Sequence, residues 1–329
     1  MPVKRWIDSR LAHFLNSPHF GVQETGRRPQ LLVALVLLLM ESAIGCSPQS
    51  APGPVEDTQT SGRISVVCAP EAASLIERER SEFQELYPQA SIRLTAGSSR
   101  EAIRALFAAE CDLAVITREL TTEERAAAVR GKLELEGYRF ARDAVVAVVH
   151  PANPVENASV DDLAKVYRGE ITRWSQLGGR ELAIEPVAQP PASDITEYFI
   201  AQVMGGEAMT AKAYQAESDS AVVATVTSHS GAIGYVSLAW AERGVRALRL
   251  SSLKGLNYQK PDLEAVYKGD YPLTRFYNFY MRSRGPKAAA GFITFVTSME
   301  GQAIVHEAGL VPTAVPVRFV RRSPMLGTH

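Results

Sequence analysis

The run AVVAVV at residues 144–149 consists of six apolar residues in succession, four of them β-branched. A run that is apolar on both alternating faces is typical of a strand covered on both sides of its sheet. In both directions from this run, short β-rich segments alternate with segments of helical spacing. The alternation predicts an α/β fold with mixed, mostly parallel sheets flanked by helices.

The spacing of apolar residues gives approximate bounds for these segments, and no repeat of solenoid length occurs. The predicted strands are 64–68, 91–94, 112–116, 144–149, 184–188, 232–236, 246–250 and 276–281. The predicted helices are 72–87, 100–109, 122–131, 160–168, 196–204, 206–215, 221–227, 263–268 and 288–307.

The charge balance excludes partners that need a strongly basic surface. The 329 residues carry 35 basic and 36 acidic side chains, and the chain after residue 46 keeps 30 against 33. No basic excess favours nucleic acid or broad binding to an anionic surface. An anionic ligand would therefore have to be held by local geometry.

The N-terminal segment predicts export. Arg27 and Arg28 precede an apolar run at 31–40, which is too short to span a bilayer but fits the apolar part of a signal peptide. The sequence AIGC at 43–46 resembles a bacterial lipobox, which predicts a lipidated Cys46 and a membrane-anchored envelope protein. A plain secretory signal is the alternative. Residues 47–62, rich in Pro, Ser, Gly and Thr, are predicted to be a flexible linker.

The other two cysteines are predicted to be free and buried. Cys68 ends one predicted strand and Cys111 precedes another. If those strands are parallel, the two residues lie at opposite strand ends, about 15 Å or more apart at ~3.3 Å per residue. A disulfide needs Cα atoms within about 7 Å.

Seven segments in order resemble the phosphate-binding components of ABC importers, which are type II periplasmic binding proteins. The most diagnostic is VYRGEITRWSQLGG at 166–179. The others are TAGSSREAI (95–103), DLAVITREL (112–120), RDAVVAVVHPANPV (142–155), SGAIGYV (230–236), GDYPLTRFY (269–277) and FVTSMEGQAIVHEAGLVP (295–312). Together they cover roughly residues 63–318.

This resemblance implies a two-domain clamp joined by two crossover strands. It predicts a first lobe from 63–145 and 238–318, a second lobe from 146–237, and a tail at 319–329. The implied function is capture of phosphate or a similar oxyanion for an ABC permease of the phosphate uptake type, without catalysis, cofactor or metal. The implied state is a monomer.

The first lobe supplies five candidate ligand residues. Ser98 and Ser99 lie where a loop enters a helix, so their hydroxyls and backbone N–H groups can bind an anion, or simply cap the helix. Arg100 in the first turn opposes the helix dipole, which suggests a contact with the anion; a solvated arginine is the alternative. Thr117 and Arg118 end a strand, where successive side chains face opposite ways, and Thr117 is the preferred ligand.

The second-lobe loop departs from the family pattern of an arginine, three residues and Ser-Gly-Thr. Gln189 replaces the arginine, Ser193 is retained, and Asp194 and Ile195 replace Gly and Thr. Losing one charge-assisted contact lowers affinity by about 10- to 100-fold. Carboxylates at Glu71 and Asp194 would repel a dianion, unless they point outward or accept a proton from the ligand.

Three functional classes stay open at this stage. The preferred one is uptake of phosphate or a related oxyanion, and the alternative is a sensor or scaffold lipoprotein whose cleft binds another small solute or none. An enzyme is disfavoured because the sequence has no Gly-x-Ser-x-Gly elbow, no phosphate-binding loop and no paired metal spacing among its histidines.

Overall fold

The structure, a computed structural model, describes residues 56–210 and 212–313, all within the unit Pro54–His329. The predicted signal peptide at 1–46, the lipidation of Cys46 and the predicted tail at 319–329 lie outside the described residues. In the part that is described, no single helix is long and apolar enough to cross a membrane. Two consecutive helices, Lys287–Val296 and Met299–Glu307, are long and apolar enough only when taken together, and they meet at a bend of 60°.

Twelve strands occur in the described ranges. They are β1 (Gly62–Cys68), β2 (Ala90–Ala96), β3 (Leu113–Ile116), β4 (Leu135–Val149), β5 (Asn157–Ser159), β6 (Glu185–Ala188), β7 (Tyr214–Gln215), β8 (Ala232–Ser237), β9 (Arg246–Ala247), β10 (Arg249–Ser251), β11 (Thr274–Arg282) and β12 (Val311–Pro312). The main sheet has the order β2-β1-β3-β11-β4-β8-β6-β7, and β9 and β12 also pair with β4. Strands β5 and β10 form a separate parallel pair.

Nine α-helices flank these strands in the described residues. They are α1 (Pro70–Leu86), α2 (Ser99–Phe107), α3 (Thr122–Arg130), α4 (Val160–Arg168), α5 (Asp194–Gln202), α6 (Asp219–Ser228), α7 (Leu263–Lys268), α8 (Lys287–Val296) and α9 (Met299–Glu307). The predicted α/β class, with parallel and antiparallel pairs in one sheet, is confirmed.

The long strand β4 joins the two halves of the main sheet. Its first part, Leu135–Ala144, pairs with β11, and its second part, Val145–Val149, pairs with β8. We call β1, β2, β3 and β11 with their helices the first half, and β6, β7 and β8 with theirs the second half. The run at 144–149 is buried throughout, as its composition predicts.

A buried ion pair fixes the place where β4 passes from one half to the other. The Asp143 carboxylate accepts hydrogen bonds from Arg275 Nε on β11 at 2.9 Å and from Ser237 Oγ at the end of β8 at 2.9 Å. It also accepts the backbone N–H of Leu238 at 3.0 Å. One side chain therefore ties together the three strands of the junction.

The hydrophobic core divides largely along the same junction. One cluster holds residues of β1, β2, α1, β11 and α8, and a larger one holds residues of β4, α4, α5, α6 and β8. The larger cluster also includes Leu248, Leu250, Val266 and Leu273.

Three local predictions are wrong. Residues 206–210 and 212–215 are not helical: Gly205 and Gly206 take positive φ angles of 64° and 90° just beyond α5, and Tyr214–Gln215 form β7. The predicted helix 288–307 is two helices, and Ser298 caps the second by accepting the N–H of Gly301. Strand β4 begins at Leu135, nine residues earlier than predicted.

The flexible linker predicted over 47–62 is wrong for its last residues. The Asp57 carboxylate accepts the backbone N–H groups of Lys287 at 2.9 Å and Ala288 at 3.1 Å, and so caps α8, which has no side-chain cap at Pro286. The Gln59 carbonyl packs so closely on Gly291 that a Cβ there would lie 1.8 Å from its oxygen. Composition alone could not reveal this docking.

The prediction for Cys68 and Cys111 is confirmed. Both thiols are free and buried. Strands β1 and β3 are parallel, as the argument required, so the end of one strand and the start of the other lie apart.

Candidate functional site

A crevice of about 470 Å³ lies where several helices begin. Its walls include the starts of α1 (Pro70 and Glu71), α2 (Ser98), α5 (Ser193 and Asp194) and α6 (Ser218 and Asp219). Helix N-termini present unpaired N–H groups and about half a positive charge, so four of them around one crevice favour an anion.

Ser98 and Ser99 have different roles at the start of α2. Ser98 is the N-cap: its hydroxyl accepts the N–H of Glu101, and the Glu101 side chain accepts the Ser98 N–H at 2.8 Å. Ser99 is fully buried, and its hydroxyl donates to the Asp194 carboxylate of the second half. The capping alternative thus applies to Ser98, which still lines the crevice.

Thr117 lies one residue after β3 and meets the same carboxylate. Its hydroxyl donates to Asp194 Oδ2 at 2.7 Å, and its backbone N–H lies 3.4 Å from that oxygen. Two hydroxyls and one amide of the first half therefore surround a single carboxylate oxygen. A cradle of this kind suits an oxyanion, since all of its groups are neutral donors.

The two arginines point to carboxylates rather than into the crevice. Arg118 is buried and forms two hydrogen bonds with Glu124, at 2.8 and 2.9 Å, and its Nε lies 3.6 Å from Glu197. Arg100 is 78% exposed and pairs with Glu197 at 3.0 Å. Neither guanidinium is among the groups that line the crevice, so the charge that we expected them to supply is directed elsewhere.

Gln189 and Ser193 frame the second half of the crevice. Gln189 Nε2 donates to Asp219 Oδ1 at 2.7 Å, and Tyr235 OH accepts the Gln189 N–H at 3.2 Å. Ser193 is the N-cap of α5, where its hydroxyl donates to the Pro190 carbonyl at 2.9 Å. Ser98 and Ser193 therefore face one crevice, and Thr117 reaches it through Asp194, next to Ser193.

Carboxylates dominate the charge at the crevice. Burial raises the pKa of Glu71, the Asp194 carboxylate raises it further, and Arg275 opposes the rise. Burial raises the pKa of Asp219 to about 6, against the hydrogen bond from Gln189, which lowers it. From the sequence, Asp194 could either point outward or accept a proton from the ligand. In the structure its carboxylate points inward, to the hydroxyls of Ser99 and Thr117. No group of three His, Cys, Asp or Glu among the described residues could hold a metal ion.

Two features of the site were not predicted from the sequence. One is Arg275, a positive charge that lowers the pKa of Glu71; it is buried on β11, and its Nη1 has no hydrogen-bond partner among the described groups. An arginine next to the aromatic run of β11 was the available signal. The occupation of the cradle by Asp194 had no local signal, because Ser99 and Asp194 are 95 residues apart.

Comparisons with known proteins identify the family of the chain. Residues 53–300 match the model of the PBP superfamily domain. The chain is 25% identical over 258 residues to the phosphate-binding protein PstS of Bacillus subtilis, covering 78% of this chain and 82% of that protein. It is 23% identical over 297 residues to PstS of Pseudomonas aeruginosa strain PAO1, with 84% and 91% covered.

Solved structures show the same fold. An ABC-type phosphate transport receptor from Vibrio cholerae superposes with a TM-score of 0.67 at 23% identity, over 75% of this chain and 99% of the other. PstS from Borrelia burgdorferi superposes with a TM-score of 0.60 at 21% identity, over 77% and 99%. The resemblance and the two-domain periplasmic binding protein fold predicted from the sequence are confirmed. The matched model covers most of the chain, so the protein belongs to the PBP superfamily.

Proposed function

We propose that the protein captures inorganic phosphate, or a related small oxyanion, outside the cytoplasm and delivers it to an ABC importer. The observation that carries the proposal is the convergence of the Ser99 hydroxyl, the Thr117 hydroxyl and the Thr117 N–H on one oxyanion oxygen, that of Asp194. A cradle that binds a carboxylate oxygen in this way has the donors that a phosphate oxygen needs. The similar proteins named as phosphate-binding support this ligand.

The proposal includes the remaining predictions for the whole chain. The protein is exported, anchored through a lipid on Cys46, acts as a monomer without catalysis, and partners a permease of the phosphate uptake type. The two lobes, 63–145 with 238–318 and 146–237, close on the ligand between them. Ser98, Ser99, Thr117, Gln189 and Ser193 contribute ligand contacts, whereas Arg100 and Arg118, which pair with Glu197 and Glu124, do not.

A second candidate is a sensor or scaffold whose cleft takes another solute or none. It is favoured by the carboxylates of Glu71, Asp194, Glu217 and Asp219 along the crevice, and by Gln189 at the position where the family has an arginine. Each negative charge near the site weakens the binding of a dianion. The two candidates differ in whether phosphate binds at all.

Calorimetric titration of the purified chain with phosphate, sulfate, molybdate and phosphonates tests the proposal. We expect saturable binding of phosphate, with about 2.7 kcal/mol of added stability at 100 times Kd. No heat of binding and a melting temperature unmoved by millimolar phosphate would reject phosphate and favour the second candidate.

A pair of matched variants locates the site. Ser98→Asp adds a carboxylate at the crevice, while Ser298→Asp adds one at the N-cap of α9, which does not line it. Aspartate caps helices as well as serine does, so both variants should fold. We expect Ser98→Asp to weaken phosphate binding roughly tenfold by charge repulsion and Ser298→Asp to leave it unchanged. Equal effects would mean that the crevice is not the site.

A further inference from the structure

One face of α5 makes several polar contacts with the first half of the fold. Asp194, Glu197 and Tyr198 lie at positions i, i+3 and i+4, which share a side of a helix. Asp194 binds Ser99 and Thr117, Glu197 pairs with Arg100, and the Tyr198 hydroxyl donates to the Thr274 carbonyl at 2.8 Å. All of these partners belong to the first half of the fold.

The contact of Asp194 differs in kind from the ion pair of Glu197 with Arg100. Glu197 and Arg100 meet at the surface, where an ion pair contributes little. Asp194, Ser99 and Thr117 are all buried, and the carboxylate oxygen takes two hydroxyl donors that are nearly inaccessible to water. Hydrogen bonds to an ionised group in such surroundings are among the stronger ones in proteins.

The other helix starts at the crevice also carry acidic side chains of the chain itself. Each of the three neighbouring helices has an acid in its first turn: Glu71 on α1, Glu101 on α2 and Asp219 on α6. An acid in this position satisfies the positive end of its helix. Glu71 and Asp219 also line the crevice, which therefore contains built-in anions where a captured oxyanion would bind.

We propose that Asp194 is an internal competitor for the ligand, a latch that holds the two halves together by occupying the oxyanion cradle of Ser99 and Thr117. This inference deepens the proposed function and rests on it, since the competing ligand is the phosphate-type oxyanion. Only the fraction of molecules in which Asp194 has left the cradle can bind phosphate there. The apparent Kd of the wild-type chain is raised by the inverse of that fraction.

Two measurements on the same variants test the latch. The Asp194→Ala variant keeps the Ser193 N-cap but loses the carboxylate. Small-angle X-ray scattering without phosphate should give it a larger radius of gyration than the wild type, because the halves separate. Calorimetry should show that Asp194→Ala binds phosphate about 10- to 100-fold more tightly than the wild type, which is the effect of removing one competing charge-assisted contact.

Glu217→Ala is the matched control. Glu217 lines the crevice, carries the same charge and forms no hydrogen bond or ion pair among the described residues. Its removal should leave the radius of gyration unchanged. If Glu217→Ala expands the protein as much as Asp194→Ala does, general repulsion is responsible and the latch is wrong. Asp194→Gly, which restores the glycine of the family pattern and also removes the acceptor of the Ser99 and Thr117 hydroxyls, gives the same test if the alanine variant does not fold.

The outcomes separate the latch from the proposed function. Equal compactness of wild type and Asp194→Ala, or equal or weaker phosphate binding by the variant, overturns the latch. If neither protein binds phosphate, the proposed ligand is rejected. The latch is then judged by scattering alone: an expanded Asp194→Ala supports it and an unchanged one overturns it.

Discussion

The buried side chain of Glu79 should destabilise the fold at neutral pH. Replacing Glu79 with leucine should recover the lost stability. The residue lies on the buried face of α1 with Leu75, Ile76 and Phe83, and it is fully inaccessible to solvent. Neither carboxyl oxygen has a hydrogen-bond partner among the described groups. Burial raises the pKa of this carboxyl to about 9, and the nearby Arg78 offsets only part of the rise.

The sign and size of the effect follow from that pKa. Below about pH 4.5 the proton is bound in both the folded and the unfolded chain. Between about 4.5 and 9 the unfolded chain ionises and the folded one does not, so the free energy of unfolding falls as the pH rises. Each pH unit in this window costs about 1.36 kcal/mol. Glu79→Leu lacks this dependence, and its advantage over the wild type should grow by about 2.7 kcal/mol between pH 5 and pH 7.

Urea unfolding at the two pH values, with the midpoint and slope compared, measures this difference. Glu85→Leu is the matched control, because Glu85 lies on the same helix and is exposed. The control should change the stability by no more than about 0.5 kcal/mol at either pH. An advantage of Glu79→Leu that stays constant with pH, or a variant less stable than the wild type at pH 7, would refute the argument.

Two further substitutions probe the crevice and the junction. Gln189→Arg places a guanidinium where Gln189 now donates to Asp219, and calorimetry should show phosphate binding at least about tenfold tighter than in the wild type. The control Gln215→Arg, on the exposed strand β7, should leave the phosphate affinity unchanged. Equal affinities of the two variants would contradict the prediction. Asp143→Asn leaves Arg275 buried without its counter-charge and should lower the free energy of unfolding by about 3–5 kcal/mol. A loss below 1 kcal/mol in urea unfolding would show that the ion pair is not the anchor of the junction.

The elements that the sequence predicted correctly are those with a local cause. The run at 144–149 is apolar without interruption, and a strand buried on both faces is its direct consequence. Cys68 and Cys111 could be assigned as free thiols because strand direction alone sets their separation. The capping role of Ser98 was also predictable, because a helix cap depends on only a few neighbouring residues.

The features that escaped prediction depend on partners distant in the chain. Asp57 caps a helix 230 residues later, and Arg275 pairs with a carboxylate 132 residues earlier. From the sequence, Asp194 could be identified as a negative charge that would repel a bound dianion. It could not show that Ser99 and Thr117 already bind that charge, because the contact exists only once the two halves meet.

A crystal structure of the wild-type chain grown with phosphate tests the oxyanion cradle most directly. We expect a tetrahedral anion within hydrogen-bond distance of the Ser99 and Thr117 hydroxyls, with the Asp194 carboxylate moved away from both. A crevice in which Asp194 keeps its bonds to Ser99 and Thr117, and no anion lies beside them at saturating phosphate, would contradict the account.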